Sequence, residues 1–542
     1  MHDLPLIAPR RDTMRKLGHW RDETVTDFLD RFVAACPDKT ALIAYSSERG
    51  NAARLTYAQL NEKVTRAALG LARLGVGKGD VVAMQLPNWW EYVVLHLAAV
   101  RLGAVTNPLM IIFRQHELRF MLRFSQAKVM VIPKSFRGFD FPAMLDELRP
   151  ELPDLAQVVV VGEDGPDGWD STLGGTAPVD QDAAARLFAA NKPSGDDLIQ
   201  LLYTSGTTGE PKGVMHTSNT IFSNLHPFAD RLGLGAGDVI HMPSPMAHQL
   251  GFMYGLILPV MLGATAVLQD IFEVTEMARQ LTEERASFTM AATPFLNDLT
   301  EYAIAKSLAT PDLRIFVSAG APIPRALVTR ASETLGSAIV SAWGMSENGA
   351  VTTTSPSDPV DKITNTDGHC LPGMEVRVVD ETDQPVPAGT AGRLQVRGCS
   401  NFAGYLRRPE LNTVDPDGWF ETGDIARMDE DGYIRIAGRS KDIIIRGGEN
   451  IPVVEIENLL FKHPSIAVVA IVGVSDPRLG ERACAVVVLK QGASLSFEDM
   501  SAFLLEQQVA KQYIPEQLRI VDDLPRTPTG KIQKFRLREW LN

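Results

Sequence analysis

The run Thr204-Ser205-Gly206-Thr207-Thr208-Gly209-Glu210-Pro211-Lys212-Gly213 follows directly on the apolar stretch Ile199 to Tyr203. Glycines and small hydroxyl residues leave backbone N–H groups open to a polyphosphate, the hydroxyls add donors, and Lys212 supplies a point charge. The spacing is not that of a Walker A loop, and neither GxGxxG nor GxSxG occurs in the chain. The usual sequence arguments for a dinucleotide fold or a serine hydrolase are therefore missing.

Three further clusters carry chemistry. Ser341-Ala342-Trp343-Gly344-Met345-Ser346-Glu347 ends a strand in an aromatic, a glycine turn, a hydroxyl and a carboxylate. Trp343 suits stacking on a base or walling a pocket, and Glu347 suits a hard cation such as Mg²⁺. Upstream, Ser318-Ala319-Gly320-Ala321-Pro322 offers a second tight strand-to-turn backbone. Gly418-Trp419-Phe420-Glu421-Thr422-Gly423-Asp424 and Gly438-Arg439-Ser440-Lys441-Asp442 pair an Asp fit for a ribose diol with an Arg fit for phosphate or a second hydroxyl. The tail Pro525-Arg526-Thr527-Pro528-Thr529-Gly530-Lys531 presents Lys531 on a loop. Five Lys and Arg stand against one acid from Leu524 onward. Each cluster alone also fits a bland role: a core tryptophan, a surface ion pair, a solubilising basic tail.

These clusters need elements to hold them. Val81 to Leu86, Lys128 to Ile132 and Val158 to Val161 read as short buried strands, and Asn88 to Leu102 as a helix. The βα rhythm predicts doubly wound α/β layers, with Gly165 to Asp182 a loop between two of them. A second α/β block spans about Leu198 to Ser355, with strands at Ile199 to Tyr203, Ala264 to Leu268, Ile315 to Ser318 and Ala338 to Ala342. After Gly373 the period changes to two, and MEVRVVD with RLQVRG predicts an antiparallel hairpin in a small β-rich module reaching about Gly438. Beyond it, Asn450 is expected to cap a helix, followed by strands at Ile466 to Val472 and Ala483 to Leu489 and a helix over Phe497 to Gln512.

The totals set limits. The chain has 542 residues, 45% hydrophobic and 22% charged, with net charge −13. That is enough for several cores without disulfides, and it excludes disorder, collagen and a stapled mini-protein. The acidic balance argues against non-specific nucleic-acid binding. Cys36, Cys370, Cys399 and Cys484 form no CxxC pair, which argues against zinc and iron–sulfur sites and suits a reducing cytoplasm. The N-terminal residues show no apolar h-region, and REWLN is neither SKL nor CaaX, so no secretory or lipid address is expected. Gly251 to Leu268 lacks charge, but its glycines and Pro259 favour a buried helix–turn–strand passage over a membrane span.

Taken together, YTSGTTGEPKG, WGMSE, GWFETGD, GRSKDIIIRGGENI and PRTPTGKI resemble, in order, the signatures of the adenylate-forming acyl-CoA synthetases, or AMP-binding ligases. The resemblance covers roughly Thr24 to Leu541. Within the family it is most like medium-chain and cyclohexanecarboxylate-type ligases. It implies a large N-terminal domain over residues 1–440, made of two doubly wound α/β subdomains plus a small β-rich module. A small mobile α+β domain over 441–542 follows, with Lys441 as the hinge. It implies that Thr204, Ser205, Gly206, Thr207, Thr208, Gly209 and Lys212 cradle the phosphates of ATP. Gly320, Ala321 and Pro322 would border the adenine beside Trp343, Gly344, Met345 and Ser346. Glu347, with Thr204, would bind Mg²⁺, and Asp424 and Arg439 would hold the ribose. Gly447, Gly448 and Glu449 would line the pantetheine tunnel of CoA. Lys531 would be the adenylation lysine, and His248 in PMAHQLGF would sit near the substrate carboxylate. Ser346 stands where Thr is commoner, Trp343 is bulkier than the usual Tyr, and the charge of Glu421 is left without an explanation.

The implied activity is an ATP-dependent carboxylic acid–CoA ligase acting through an acyl-adenylate on a medium-chain or alicyclic acid such as cyclohexanecarboxylate. Met246, His248, Phe252, Gly344, Met345 and Gly349 are candidates for its pocket. The partners are then small molecules, a carboxylic acid, ATP and CoA, without nucleic acid or an integral membrane segment, in the cytoplasm. Nothing in the sequence argues against a homodimer. Aryl-CoA ligases, carrier-protein-loading and luciferase-like enzymes share the first half of this chemistry. A catalytically silent nucleotide-binding protein is the reading from another class.

Overall fold

A computed structural model of the chain describes residues 4–204, 211–321, 323–439, 442, 444–446, 449–476, 479–507, 509, 511–527 and 530–541. Short Val- and Ile-rich runs, buried on both faces, build two large sheets, as parallel strands between helices require. The first has seven strands, in the order Gly404–Tyr405, Lys212–Thr217, Leu198–Thr204, Val105–Pro108, Val81–Met84, Val129–Pro133 and Gln157–Val161. Its centre is parallel, while Lys212–Thr217 turns back antiparallel on Leu198–Thr204.

The second sheet has nine strands. It runs His369–Cys370, Gly349–Thr353, Ala338–Met345, Ile315–Ala319, Phe288–Ala292, Val239–Met242, Thr265–Gln269, Thr40–Ser46 and Asn51–Thr56. One continuous core joins the two sheets, with Tyr92, Phe228, Phe252 and Tyr254 among its fully buried side chains. The uncharged Gly251 to Leu268 passage belongs to this core, as π-helical Phe252–Ile257, helical Leu258–Leu262 and the strand Thr265–Gln269. No helix among the described residues is long and apolar enough to cross a membrane.

The period-two region forms a four-stranded antiparallel sheet, Met374–Val379, Gly392–Gly398, Phe420–Met428 and Ile434–Arg439. The last part of the chain makes its own sheet around the long pair Ile466–Asp476 and Gly480–Leu489, with Gln517–Ile520 added in parallel. Strand alternation buries both of its faces. Val469 and Ile471 pack under the helices Val453–Leu460 and Phe497–Glu506, while Ala470, Val472 and Val474 pack under Leu524 and Leu537 of the tail. Lys534 pairs with Glu457 at 2.7 Å and Arg538 with Asp442 at 2.6 Å. The basic tail is thus a folded part of this unit rather than a solvated appendage.

Three local expectations are corrected. Asn450 caps no helix: it lies in the strand Glu449–Ile451, opposite Ile445, and the helix starts at Val453 behind Pro452 without a side-chain cap. The last long helix ends at Glu506, and Lys511–Tyr513 is a separate 3₁₀ turn. The Gly165 to Asp182 loop holds a π-helical turn, Asp170–Gly174, because Trp169 and Leu173 are apolar enough to be buried against the helix Tyr57–Arg73.

One tie had no signal in the sequence. The Arg10 guanidinium donates to the carbonyls of Leu6 (2.7 Å), Gly398, Asn401 and Phe402 (each 2.8 Å). Burial pulls its pKa down to about 10. Trp20 Nε1 donates to the neighbouring Cys399 carbonyl at 2.9 Å. The N-terminal strap therefore clamps residues 398–402. Arg10→Met keeps the aliphatic stem but removes the donors, leaving buried carbonyls dry at about 1–3 kcal/mol each. It is expected to lower the thermal midpoint by several degrees in scanning fluorimetry. An unchanged midpoint would show that the clamp carries no stability.

Candidate active site

Thr204 and Lys212 are register partners in the antiparallel pair next to the Gly404–Tyr405 edge of the first sheet. The hairpin base thereby fixes both ends of the hydroxyl- and glycine-rich loop. Ser205, Gly206, Thr207, Thr208 and Gly209 lie outside the described residues, as do Pro322, Lys441, Gly447 and Gly448. The Lys212 ammonium sits 4.8 Å from the centre of the Tyr405 ring.

Glu347 is at the tip of the hairpin between Ala338–Met345 and Gly349–Thr353. The strand thus continues past Trp343, because Gly344 and Gly349 allow a close approach. A Cβ on Gly344 would lie 1.8 Å from the Gly349 carbonyl oxygen, and Gly349 has φ +67°. Asn348 Oδ1 accepts from the Met345 amide at 3.0 Å and shapes the turn that presents Ser346 and Glu347.

The Glu347 carboxylate is 6% exposed. Tyr405 donates to its Oε1 at 2.7 Å, and the Phe402 amide donates to its backbone carbonyl at 2.6 Å. Burial raises its pKa, against the Tyr405 hydrogen bond and the more distant charges of Lys212 and Arg439. No group of three His, Cys, Asp or Glu among the described residues forms a metal cage. A buried carboxylate flanked by hydroxyl oxygens fits a cation that keeps most of its ligands as water and phosphate, as Mg²⁺ does. Tyr405 has no distinguishing sequence context and was missed, as was the Arg10 strap that holds Phe402.

Trp343 and Asp424 meet. The indole Nε1 donates to Asp424 Oδ2 at 2.9 Å, and Arg439 Nε lies 3.1 Å from Oδ1. Asp424 and Arg439 are register partners across two strands of the small sheet, which is why their distant motifs converge. Asp424 is 5% exposed, so both carboxylate oxygens are aimed by fixed donors. Trp343 therefore orients the Asp424 carboxylate. Glu421 now has an explanation: it pairs with Arg393 at 2.6 Å and accepts from Gln395 at 3.2 Å, and its charge is spent within the small sheet. Gly320, with φ +78°, and Ala321 follow the strand Ile315–Ala319. The Ala321 carbonyl accepts from Thr293 Oγ1 at 3.4 Å.

The C-terminal unit reaches this group. Lys531 is held in a tight turn, its carbonyl accepting from the Thr527 amide at 2.7 Å and its amide donating to Thr527 Oγ1 at 3.1 Å. A Cβ on adjacent Gly530 would lie 3.3 Å from Pro294 of the N-terminal part. Desolvation is the main cause that pulls the Lys531 pKa down to about 8. Arg439 adds to the fall, while Asp424 and Asp442 oppose it. The charge of Lys531 also acts on His248, whose pKa burial lowers to about 4. His248 Nδ1 accepts from the Leu250 amide at 3.3 Å, which leaves Nε2–H of the neutral ring as a donor. The structure thus brings Lys531, Asp424, Arg439 and His248 together, with Trp343 on Asp424. Met246 and Phe252 are fully buried beside His248.

The model of the AMP-binding enzyme family matches residues 29–406, and that of the AMP-binding enzyme C-terminal domain matches 455–531. A medium-chain fatty-acid–CoA ligase of Escherichia coli (strain K12) is 38% identical over 533 residues, covering 98% of this chain and 92% of the relative. A salicylyl-CoA synthase / salicylate adenylyltransferase of a Streptomyces species is 35% identical, covering 99% and 97%. Among solved structures, ATP-bound MatB from Rhodopseudomonas palustris superposes with a TM-score of 0.82 at 30% identity, covering 95% of this chain and 98% of that one. With two sheets of mainly parallel strands, a small antiparallel module and a separate C-terminal sheet around this cluster, the chain belongs to the adenylate-forming, AMP-binding enzyme family of the acyl-CoA synthetases.

Proposed function

We propose that the protein joins a medium-chain or alicyclic carboxylic acid, such as cyclohexanecarboxylate, to CoA at the site around Lys531, using ATP. The observation that carries this reading is the delivery of the Lys531 ammonium, by a separately folded unit, to Asp424, Arg439 and His248. In the first half-reaction an acid oxygen bonds to the α-phosphorus of ATP and the bond to pyrophosphate breaks. Two anions must approach, so the work is charge neutralisation and positioning. Lys531 supplies a cation at the point of approach. Lys212, at the base of the Thr204–Lys212 loop, supplies another toward the departing phosphates. Asp424, aimed by Trp343 and Arg439, holds the ribose, and Gly320, Ala321 and Pro322 border the base. Glu347, with Thr204, would hold Mg²⁺, which offsets phosphate charge when bound. The neutral Nε2–H of His248 donates to the acid.

In the second half-reaction the CoA sulfur bonds to the acyl carbon, the thiol gives up its proton and AMP leaves. The attacking group is now the CoA thiol rather than a second anion approaching a polyphosphate, so this step does not need Lys531. The domain boundary at 440/441, with Lys441 as hinge, then lets the C-terminal unit turn Lys531 away and bring Gly447, Gly448 and Glu449 to the pantetheine. The mixed anhydride between the steps is safe only in a site that excludes water.

The acid class rests on the apolar Met246, Phe252 and Met253 beside His248 and on the 38% identical medium-chain relative. The 35% identical salicylate-activating relative favours an aryl acid as the second reading. A cytoplasmic location fits the chain's four free thiols.

Three outcomes check this reading. Pyrophosphate release should depend on an acid and on CoA, with turnover peaking at one acid size in a panel from acetate to palmitate that includes cyclohexanecarboxylate and benzoate. No release with any acid would return the protein to a silent nucleotide binder. Lys531→Ala should cut adenylation by a factor on the order of 10²–10⁴ yet spare thioester formation from supplied acyl-AMP. Equal losses in both would end the domain-exchange account. Because the Lys531 pKa is lowered to about 8, the ammonium is lost as pH rises through that value. kcat/KM for ATP should fall along the same limb, and Lys531→Arg should remove the limb. A limb that survives in the arginine variant belongs to another group.

A further inference from the structure

A set of polar side chains borders the Met246–Phe252 stretch and takes no part in either step above. Thr106 and Gln200 are register partners on neighbouring parallel strands, so they project to the same face of the first sheet. On that face the helix Trp90–Arg101 contributes His96, and the turn after His248 contributes Gln249. None of His96, Thr106, Gln200 and Gln249 is more than 3% exposed.

Their hydrogen bonds can be accounted for atom by atom. Thr106 Oγ1 has one proton and donates it to the Ile199 carbonyl at 3.1 Å, so its 3.0 Å contact with His96 Nδ1 is a donation from the ring. His96 is then the Nδ1–H tautomer with Nε2 a bare acceptor, and burial keeps it neutral by lowering its pKa to about 3. The Gln200 side-chain amide donates to Gln249 Oε1 at 2.8 Å. That leaves Gln200 Oε1 an acceptor and Gln249 Nε2 a donor. Among the described residues, His96 Nε2, Gln200 Oε1 and Gln249 Nε2 all lack a partner.

Buried polar atoms are rarely left in this state without something to meet them. The set lies against the proposed path of the acid. The His96 ring stands edge-on to Phe252, with centroids 4.7 Å apart, and Gln249 directly follows His248. Two acceptors and an amide donor are a poor match for plain hydrocarbon. A hydroxyl has the complementary pair, one proton to give and lone pairs to receive the amide. A carbonyl lacks the first, and an alkyl group lacks both.

We propose that the acid this enzyme activates carries a hydroxyl group on its carbon skeleton, held between Gln249 Nε2 and an acceptor on His96 or Gln200. The inference rests on the ligase reading and narrows its substrate. A buried water offers the same chemistry, so the test has to separate the two sources.

kcat/KM for CoA-dependent turnover would be measured for matched pairs: cyclohexanecarboxylate and octanoate, each against its monohydroxy positional isomers. At least one isomer should exceed its parent by about tenfold or more, because a site built to bond a hydroxyl rejects the analogue without it. In Gln200→Leu/Gln249→Leu that ratio should fall to one or below. Parents equal to or better than every isomer would overturn the inference and leave a resident water in the site, and so would a ratio unchanged in the double variant. Melting curves would report whether the variant folds. If it does not, the wild-type ratios still decide. If no acid were turned over at all, the ligase reading would fall, and this inference with it, an outcome distinct from turnover without a hydroxyl preference.

Discussion

The site depends on placing a positive charge where two anions must meet, inside protein and away from water. Removing an ammonium from water disfavours its charged form, which is why the Lys531 pKa falls to about 8. Asp424 and Asp442 oppose that fall. The remaining cost is met by packing that has nothing to do with charge. Leu524 and Leu537 anchor the two ends of the tail under the C-terminal sheet, and the pair Lys534–Glu457 ties its helix to the first helix of the unit. Lys531 is thereby carried between two anchored points of a folded unit.

The acidic side of the site is held by parts far apart in the chain. Glu347 is aimed by a glycine-pinched hairpin, by Tyr405 on an edge strand of the first sheet, and by Phe402. The Arg10 strap in turn grips Phe402. Asp424 is aimed by Trp343 of the second sheet and Arg439 of the small module. Both carboxylates thus lie where separate layers touch, and each is fixed by groups from more than one layer. Geometry of this kind constrains side chains to within fractions of an ångström, at the expense of letting remote packing defects reach the chemistry.

How much of this was legible in the sequence follows from the range of each interaction. Strands such as Val81–Met84 and Ile315–Ala319 were visible because β-branched runs between helix patterns are local signals. The hairpin after Gly373 was visible because its period is two. The motif residues stood out because hydroxyls, glycines and isolated charges are concentrated directly after buried strands. The pairing of Asp424 with Arg439 was legible as two motifs, but the register that joins them was not. Trp343 read as a stacking residue because the sequence cannot show that its Nε1 faces Asp424. Arg10 and Tyr405 have ordinary neighbours, and their importance comes from partners remote in the chain: carbonyls at 398–402 for Arg10 and the Glu347 carboxylate for Tyr405. Asn450 misled in the opposite direction: its capping chemistry is real, but the backbone there is committed to a strand pair.

The buried titratable groups fall into two sets. Burial holds His96, His216, His241 and His248 neutral, with pKa values near 3 or 4, and pushes the Cys399 and Cys484 thiols up to about 11. None of these changes charge near neutral pH, so they act as fixed dipoles and donors. Lys531, lowered to about 8, lies closer to it. An approaching polyphosphate raises the pKa of a nearby ammonium, and its departure lowers it again. The proton on Lys531 is therefore held most firmly while ATP is present and least firmly once pyrophosphate has gone.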